Sequence, residues 1–146
     1  FKFMIFQTPA IWTISTYNAA LSDADFATLA NPETFTNKRI NTRIVSAANY
    51  TTSVTMDFDL YDEYDITAQA WALLFNNPSW TAVNGQKRMI RIKDNGTSRA
   101  LTYWSQFASW AATLPTATTI SKKLWIWVEW DSTDSKWYCI ATGVQP

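Results

Sequence analysis

The sequence predicts an all-β protein: an antiparallel β-sandwich of jelly-roll-like type, preceded by an extended N-terminal arm. Of the 146 residues 47% are hydrophobic, and 9 Trp, 6 Tyr and 8 Phe make the chain unusually aromatic. Aromatic and β-branched side chains favour half-buried pleated strands. From residue 49 onward, short apolar segments follow one another between turn signals. That spacing is typical of sandwiches and barrels.

Residues 1–48 are predicted to be an arm and connector that serves attachment or packing between chains. The first part alternates loosely and contains Pro9, which is typical of an edge strand or an extended arm. Ser22 is a candidate N-cap for one or two helical turns, which Pro32 would end. The apolar run at the start is too short for a secretory signal, and no run has membrane-spanning length.

Residues 49–146 are predicted to form the sandwich. The segment 50–56 is rich in Thr and Val and is expected to be a strand. The segment 64–75 alternates and then becomes continuously apolar, so its periodicity fits a buried strand or a short helix, and its turn-like flanks favour a strand. The apolar segments 123–130 and 136–144 are expected to close the domain as a hairpin.

A second hairpin is predicted from 86–93 to 97–104, around Asn95-Gly96. This dipeptide is a strong turn signal, because a two-residue hairpin loop needs positive φ at both positions. A strict two-residue loop would set a core residue opposite a cation, so we expect a longer loop or a bulge.

An acidic run holds five carboxylates within nine residues: Asp57, Asp59, Asp62, Glu63 and Asp65. Such oxygens could hold Ca²⁺, although the spacing is not that of an EF-hand. Asp57, Asp59, Asp62 and Glu63 are therefore candidate sugar or ion contacts. Two facing carboxyls could also act as acid and base on a sugar. The alternative is a solvated loop, which a run of surface charge usually indicates.

The basic residues of the predicted second hairpin raise the possibility of a phosphate or nucleic-acid site. They are Lys87, Arg88, Arg91, Lys93 and Arg99. No Gly-rich loop leads into a helix here, and the net charge of zero is unlike that of a general nucleic-acid binder. Pairing with acidic neighbours, such as the run at 57–65, is therefore the favoured interpretation.

The strand predicted at 123–130 is largely apolar on both faces. In a strand, Trp125 and Trp127 would share one face, and Ile126 and Val128 the other. A sheet with two apolar faces packs on both sides or covers one with a partner, so core plus oligomer interface is favoured over a sugar-stacking platform. The interface candidates are all aromatic: Trp125, Trp127, Trp130, Trp104, Phe1, Phe3, Phe6 and Trp12.

Catalysis has little support in this sequence. The chain has no His, so it has no Ser-His-Asp triad and no His-ligated metal. Cys139 lies in an apolar segment, where a free Cys is usually a small buried hydrophobe. We expect no enzymatic activity, no cofactor and no metal.

The segment 84–144 resembles a β-domain of structural proteins in tailed bacteriophages, including tail fibres and head fibres. The matching motifs are Gly85-Gln86, "RIKDNGTSRAL" (91–101), "LPTATT" (114–119) and "DSTDSKW" (131–137). Upstream, "ETFTNKRI" (33–40) resembles fibre connectors, and 51–70 resembles the strand–loop–strand before the hairpin. Two turns lack the Gly that the family usually has, at Ser79-Trp80 and at Ser121-Lys122.

The resemblance implies a non-enzymatic virion structural protein of the head-fibre, tail-fibre or capsid-decoration type. Proteins of this kind are typically homotrimers at the virion surface, bound to capsid, neck or tail proteins. No nucleic acid or membrane partner is expected. The alternatives are a carbohydrate-binding module that recognises the host surface, and a depolymerase that uses the carboxylates of the acidic run.

Overall fold

The computed structural model describes residues 41–81 and 83–146, and within them the backbone forms strands and connecting segments without a helix. This content agrees with the predicted all-β class. The helical turns and edge strand predicted within residues 1–40 lie outside the described residues. The described strands are β1 (Ile44–Ala47), β2 (Ser53–Val54), β3 (Glu63–Gln69), β4 (Leu73–Phe75), β5 (Lys87–Asp94), β6 (Leu101–Tyr103), β7 (Phe107–Ser109), β8 (Lys123–Asp131) and β9 (Lys136–Val144).

The strands form two sheets, and the first six strands alternate between them. The six-stranded sheet has the order β1-β3-β5-β8-β9-β7, and the three-stranded sheet has the order β2-β4-β6. Parallel neighbours need a crossover connection, which is usually a helix. Here a strand of the other sheet takes that place, so a parallel sheet forms without helices.

Most pairs are parallel, which corrects the predicted antiparallel jelly-roll arrangement. Only β5–β8 and β8–β9 are antiparallel among the described pairs. The other pairs, β1–β3, β3–β5, β7–β9, β2–β4 and β4–β6, are parallel. The reason is that the chain crosses to the other sheet after each early strand instead of turning back beside it.

The hairpin predicted around Asn95-Gly96 is wrong for the same reason. β5 belongs to the six-stranded sheet, and β6 belongs to the three-stranded one. The turn signal itself is genuine: Gly96 has a φ of 96°, and its N–H donates to Asp94 Oδ1 at 2.9 Å. The turn redirects the chain between sheets. The closing hairpin, in contrast, is confirmed, with β8 antiparallel to β9 and a register shift after Trp127.

The apolar segment 64–75 is extended, as expected, but it is divided between β3 and β4 of different sheets. Gln69, which is fully buried, bridges the break. Its Nε2 donates to the carbonyl oxygens of Tyr50 (2.8 Å) and Trp71 (3.0 Å), and its Oε1 accepts the Tyr50 N–H at 3.0 Å. The hydrogen bonds satisfy a buried amide that would otherwise be costly. The segment predicted as a strand at 50–56 contains only the short β2.

Both sheets contribute to one hydrophobic core. Its buried side chains include Tyr64, Ile66, Ile90, Ile92, Leu124, Ile126, Val128 and Trp137 from the larger sheet, and Val54, Leu73, Phe75 and Leu101 from the smaller one. Phe58 packs edge-to-face on Trp137, with ring centroids 4.8 Å apart. Full burial of such a Phe stabilises the fold by roughly 1.5–3 kcal/mol. Trp80 packs edge-to-face on Trp130, with ring centroids 4.6 Å apart.

Candidate functional site

The strand β8 presents alternate side chains to the core and to the opposite face of the larger sheet, which we call the outer face. Ile126 and Val128 are buried in the core, whereas Trp125 and Trp127 are half-buried on the outer face. The two sets predicted from the sequence are therefore confirmed. The outer face carries both aromatic surfaces that we consider as functional sites.

The β8–β9 half of the outer face is apolar around Trp125 and Trp127, whereas Lys123 and Glu129 lie toward the two ends of β8. Trp127 is registered between Met89 on β5 and Ala141 on β9. The indole of Trp127 also lies over Gly143, where an added Cβ would be 3.7 Å from the ring. The small residues Ala141 and Gly143 of β9 thus leave room for the Trp127 indole beside them.

The β3–β5 half of the outer face carries paired charges. The Arg91 guanidinium contacts the Glu63 carboxylate, and its Nη2 lies 3.4 Å from Asp65 Oδ2. Lys123 Nζ lies 3.3 Å from Asp65 Oδ1. Glu63 is only 4% exposed, and this burial raises the pKa of its carboxyl despite the opposing Arg91. Through Arg91, the basic segment therefore pairs with the acidic run, which is the interpretation that the sequence favoured.

Asp62 is held by two arginines at the start of β3. Arg43 donates to it from Nη2 (2.8 Å), Nε (3.1 Å) and the backbone N–H (3.0 Å), and Arg88 Nη1 lies 3.7 Å away. The hydrogen bond from the Arg43 side chain is the main cause that lowers the pKa of Asp62. The fork of the guanidinium matches the two carboxylate oxygens.

The first two carboxylates of the acidic run stabilise turns. Asp57 Oδ1 accepts the N–H groups of Asp59 and Leu60, both at 3.0 Å. Asp59 accepts the N–H of Thr81 at 2.9 Å and its hydroxyl at 3.0 Å. Asp57, Asp59, Asp62 and Glu63, proposed as sugar or ion contacts, are thus engaged by the protein itself. Among the described residues, no cluster of three or more potential ligands is placed to hold a metal ion.

The interface candidates fall into different places. Trp130 is only 4% exposed and packs in the core of this chain, so little of its side chain is accessible to a partner. Trp104 is 57% exposed and follows β6 of the smaller sheet. Phe1, Phe3, Phe6 and Trp12 lie outside the described residues. Cys139 is fully buried, as expected, and burial raises the pKa of its thiol.

A second aromatic surface lies around a cavity at one end of β8 and β9. The cavity has a volume of about 260 Å³, and its walls include Asn84, Gly85, Trp110, Glu129, Asp131 and Tyr138. This site was not predicted from the sequence, because its residues come from four separate segments of the chain. The available signal was Trp110 itself, a Trp in a loop rich in small and polar residues.

The described residues contain no helix that is long and apolar enough to cross a membrane. Comparison of the chain with protein-family models, with curated proteins and with solved structures finds no match. The two aromatic surfaces and the phage-like sequence motifs are therefore the features that can indicate a function.

Proposed function

We propose that this chain is a non-enzymatic structural subunit of a tailed-bacteriophage virion, of the fibre or capsid-decoration type. In this proposal it assembles with copies of itself as a homotrimer at the virion surface. The predicted arm, residues 1–48, attaches it to capsid, neck or tail proteins of the same particle, except that its last strand, β1, joins residues 49–146 in the exposed domain.

The observation that carries the proposal is that two of the phage-like motifs meet in one buried contact. Asp94 belongs to "RIKDNGTSRAL", and Thr118 belongs to "LPTATT". Thr118 Oγ1 donates to Asp94 Oδ2 at 2.8 Å, and both residues are buried. This hydrogen bond gives the two motifs a structural reason to occur in the same chain. It therefore supports the proposal with a contact between the motifs, in addition to their sequence similarity to the phage family.

The finer fold that we propose for the described residues is a β-sandwich, with its two sheets facing each other over the common core. The supporting observation is that the buried side chains of both sheets belong to one hydrophobic cluster. A sandwich places the inner faces of two sheets about 10 Å apart, so that their side chains interdigitate.

Self-assembly in this proposal uses the outer face. Trp125 and Trp127 place two indoles side by side on its apolar half, and Trp is enriched at the energetic centres of interfaces. The charges of the neighbouring half are already paired within the chain, so a second copy could cover them without leaving an unpaired Arg91 or Glu63. Burial of an unpaired charge would oppose association.

The proposal is tested on particles. Phage particles from the source culture are purified by density-gradient centrifugation, and peptides are identified by mass spectrometry. Peptides of this chain in the particle band, at a copy number that is a multiple of three, are the expected result. Complete absence from every particle band would contradict the proposal.

Carbohydrate recognition at the host surface is the second candidate function. The observation that favours it is the exposed Trp110 beside a cavity with carboxylates. The depolymerase has less support, because Asp62, Glu63 and Asp65 are paired with cations.

A further inference from the structure

We propose that the cavity beside Trp110 binds a neutral saccharide unit. The inference rests on the second candidate function, carbohydrate recognition, and the cavity lies at the end of the outer face, where Glu129 shares the side of β8 that carries Trp127. It also moves the sugar contact away from the acidic run, where the sequence had placed it.

Trp110 is a fixed and exposed indole. Its side chain is 67% exposed, and its ring meets Tyr138 edge-to-face with centroids 4.8 Å apart. The loop is held on β9: the Trp110 N–H donates to the Ala112 carbonyl, and the Ala112 N–H donates to the Cys139 carbonyl, both at 3.2 Å. An apolar ring that is ordered before binding loses little conformational entropy when a ligand arrives. The C–H face of a sugar ring offers a flat apolar surface for such an indole.

Tyr138 is itself held in position. Its hydroxyl donates to Asp134 Oδ2 at 2.7 Å, in the turn between β8 and β9. This hydrogen bond restrains the tyrosine ring, so Trp110 and Tyr138 form a well-ordered pair of aromatic rings beside the cavity. A ligand would meet an apolar wall with defined orientation.

The other walls supply hydrogen-bonding groups. Asn84 Oδ1 accepts the N–H of Ser132 at 2.9 Å, which leaves its amide nitrogen as a donor group. Asp131 Oδ1 accepts the N–H of Thr133 at 2.7 Å, while Oδ2 has no such partner among the described residues. Glu129 adds a second carboxylate. One apolar wall with a few convergent polar groups is typical of a ligand site, and these acceptors suit hydroxyl donors.

The charge around the cavity selects against acidic sugars. Three carboxylates, those of Glu129, Asp131 and Asp134, lie at or beside it. Lys87 Nζ lies 3.3 Å from Glu129 and pairs with it. The nearby Lys136 ammonium donates to the Ser105 carbonyl oxygen instead of to a carboxylate. An anionic sugar would therefore meet more carboxylates than paired cations, because Lys87 compensates only Glu129. The volume, about 260 Å³, is below the range of roughly 300–1,000 Å³ for drug-sized ligands and suits one or two sugar rings.

The test is a binding titration of the full chain with a panel of saccharides. The neutral members are lactose, maltose, mannobiose, rhamnose, N-acetylglucosamine and N-acetylgalactosamine, and galacturonate is the anionic comparison. Saturation-transfer NMR and calorimetry at millimolar ligand are expected to find a neutral ligand. Trp110→Ala should weaken its affinity by about tenfold or more, as loss of a central aromatic contact does. Glu129→Gln should weaken it as well.

The matched control is Trp71→Ala, which removes an indole of 57% exposure that does not line the cavity, and it should leave the affinity unchanged. The inference is overturned if no neutral member binds, if galacturonate binds better, or if Trp110→Ala retains the wild-type affinity. The amide NMR spectrum checks that each variant is folded. The mass of the assembly, measured on the same samples, reports separately on the proposed self-association.

Discussion

Thr118 Oγ1 donates a hydrogen bond to Asp94 Oδ2 across 2.8 Å, and neither residue is more than 4% exposed. Asp94 Oδ1 also accepts the N–H groups of Gly96 and Ser121, both at 2.9 Å. Thr118 Oγ1 in turn accepts the Arg99 N–H at 2.8 Å. One buried carboxylate thus fastens the end of β5 to two loops, where the chain leaves the larger sheet.

Asp94→Asn is expected to destabilise the protein by about 1–3 kcal/mol, the usual cost of disrupting buried hydrogen bonds. The amide keeps one acceptor oxygen for the Gly96 and Ser121 N–H groups, but its NH₂ group faces the Thr118 hydroxyl. Urea unfolding monitored by Trp fluorescence measures the change. Asp134→Asn, at an exposed turn, is the control and should cost much less. Equal costs would contradict the buried role of Asp94.

The same variant should alter the pH dependence of stability. Burial acts to raise the pKa of Asp94, but the hydrogen bonds from Ser121, Thr118 and Gly96 outweigh it, so the folded-state pKa is lowered. The native state therefore binds fewer protons than the unfolded state near the ordinary pKa of about 3.9. Stability from this group is present above that pH and is lost as the pH falls through the folded-state pKa. Unfolding curves between pH 7 and pH 2 should show a smaller acid-induced loss in Asp94→Asn.

Arg91→Met should be costly, because it leaves Glu63 as a buried carboxylate without its guanidinium. Breaking a buried ion pair lowers the free energy of unfolding by roughly 3–5 kcal/mol. We expect a loss at the lower end of this range, because the Arg91 side chain is 24% exposed. Lys87→Met on the same strand is the matched control, since its pair with Glu129 is exposed and should be worth under about 1 kcal/mol. Thermal unfolding of both variants gives the comparison. A cost for Lys87→Met as large as that for Arg91→Met would contradict this account.

Ser121→Gly is expected to stabilise the protein. Ser121 has a φ of 59°, in the left-handed region that disfavours residues with a Cβ. Relief of this strain is worth roughly 1–2 kcal/mol, and the greater conformational entropy that Gly loses on folding offsets roughly 0.5–1 kcal/mol of it. Ser46→Gly in β1, where φ is not positive, is the control and should destabilise by a similar amount. A loss of stability in Ser121→Gly, measured by urea unfolding, would refute the expectation.

Trp125→Ser combined with Trp127→Ser should dissociate the proposed trimer, because both indoles lie on the apolar half of the outer face. Trp71→Ser combined with Trp104→Ser removes two indoles of 57% exposure elsewhere and is the matched control. Sedimentation velocity over a concentration series measures the assembly state. Dissociation by the control pair, with the outer-face pair still assembled, would show that the contact lies elsewhere.

Local patterns were sufficient for the three longest strands, β5, β8 and β9. The alternation of Trp125 and Trp127 with Ile126 and Val128 indicated the two faces of β8, because a strand has a side-chain period of two wherever it is placed. Sheet membership was not local. The Asn95-Gly96 turn looked like a hairpin, but β5 before it and β6 after it pair with strands of different sheets.

Site residues were predicted least well, for a related reason. The acidic run looked like a site because its carboxylates are close in sequence, yet cations from β5 and β8 neutralise Glu63 and Asp65. The cavity at Trp110 brings together residues that are distant in sequence, such as Asn84 and Tyr138, and no short motif announces it. Spatial convergence of this kind depends on strand order, which the sequence left open.

Sedimentation equilibrium of the purified full chain tests the central claim most directly, since a structural appendage subunit must assemble with itself. The account predicts a mass of three chains that persists on dilution. A mass of one chain at every concentration, with the protein folded, would contradict it.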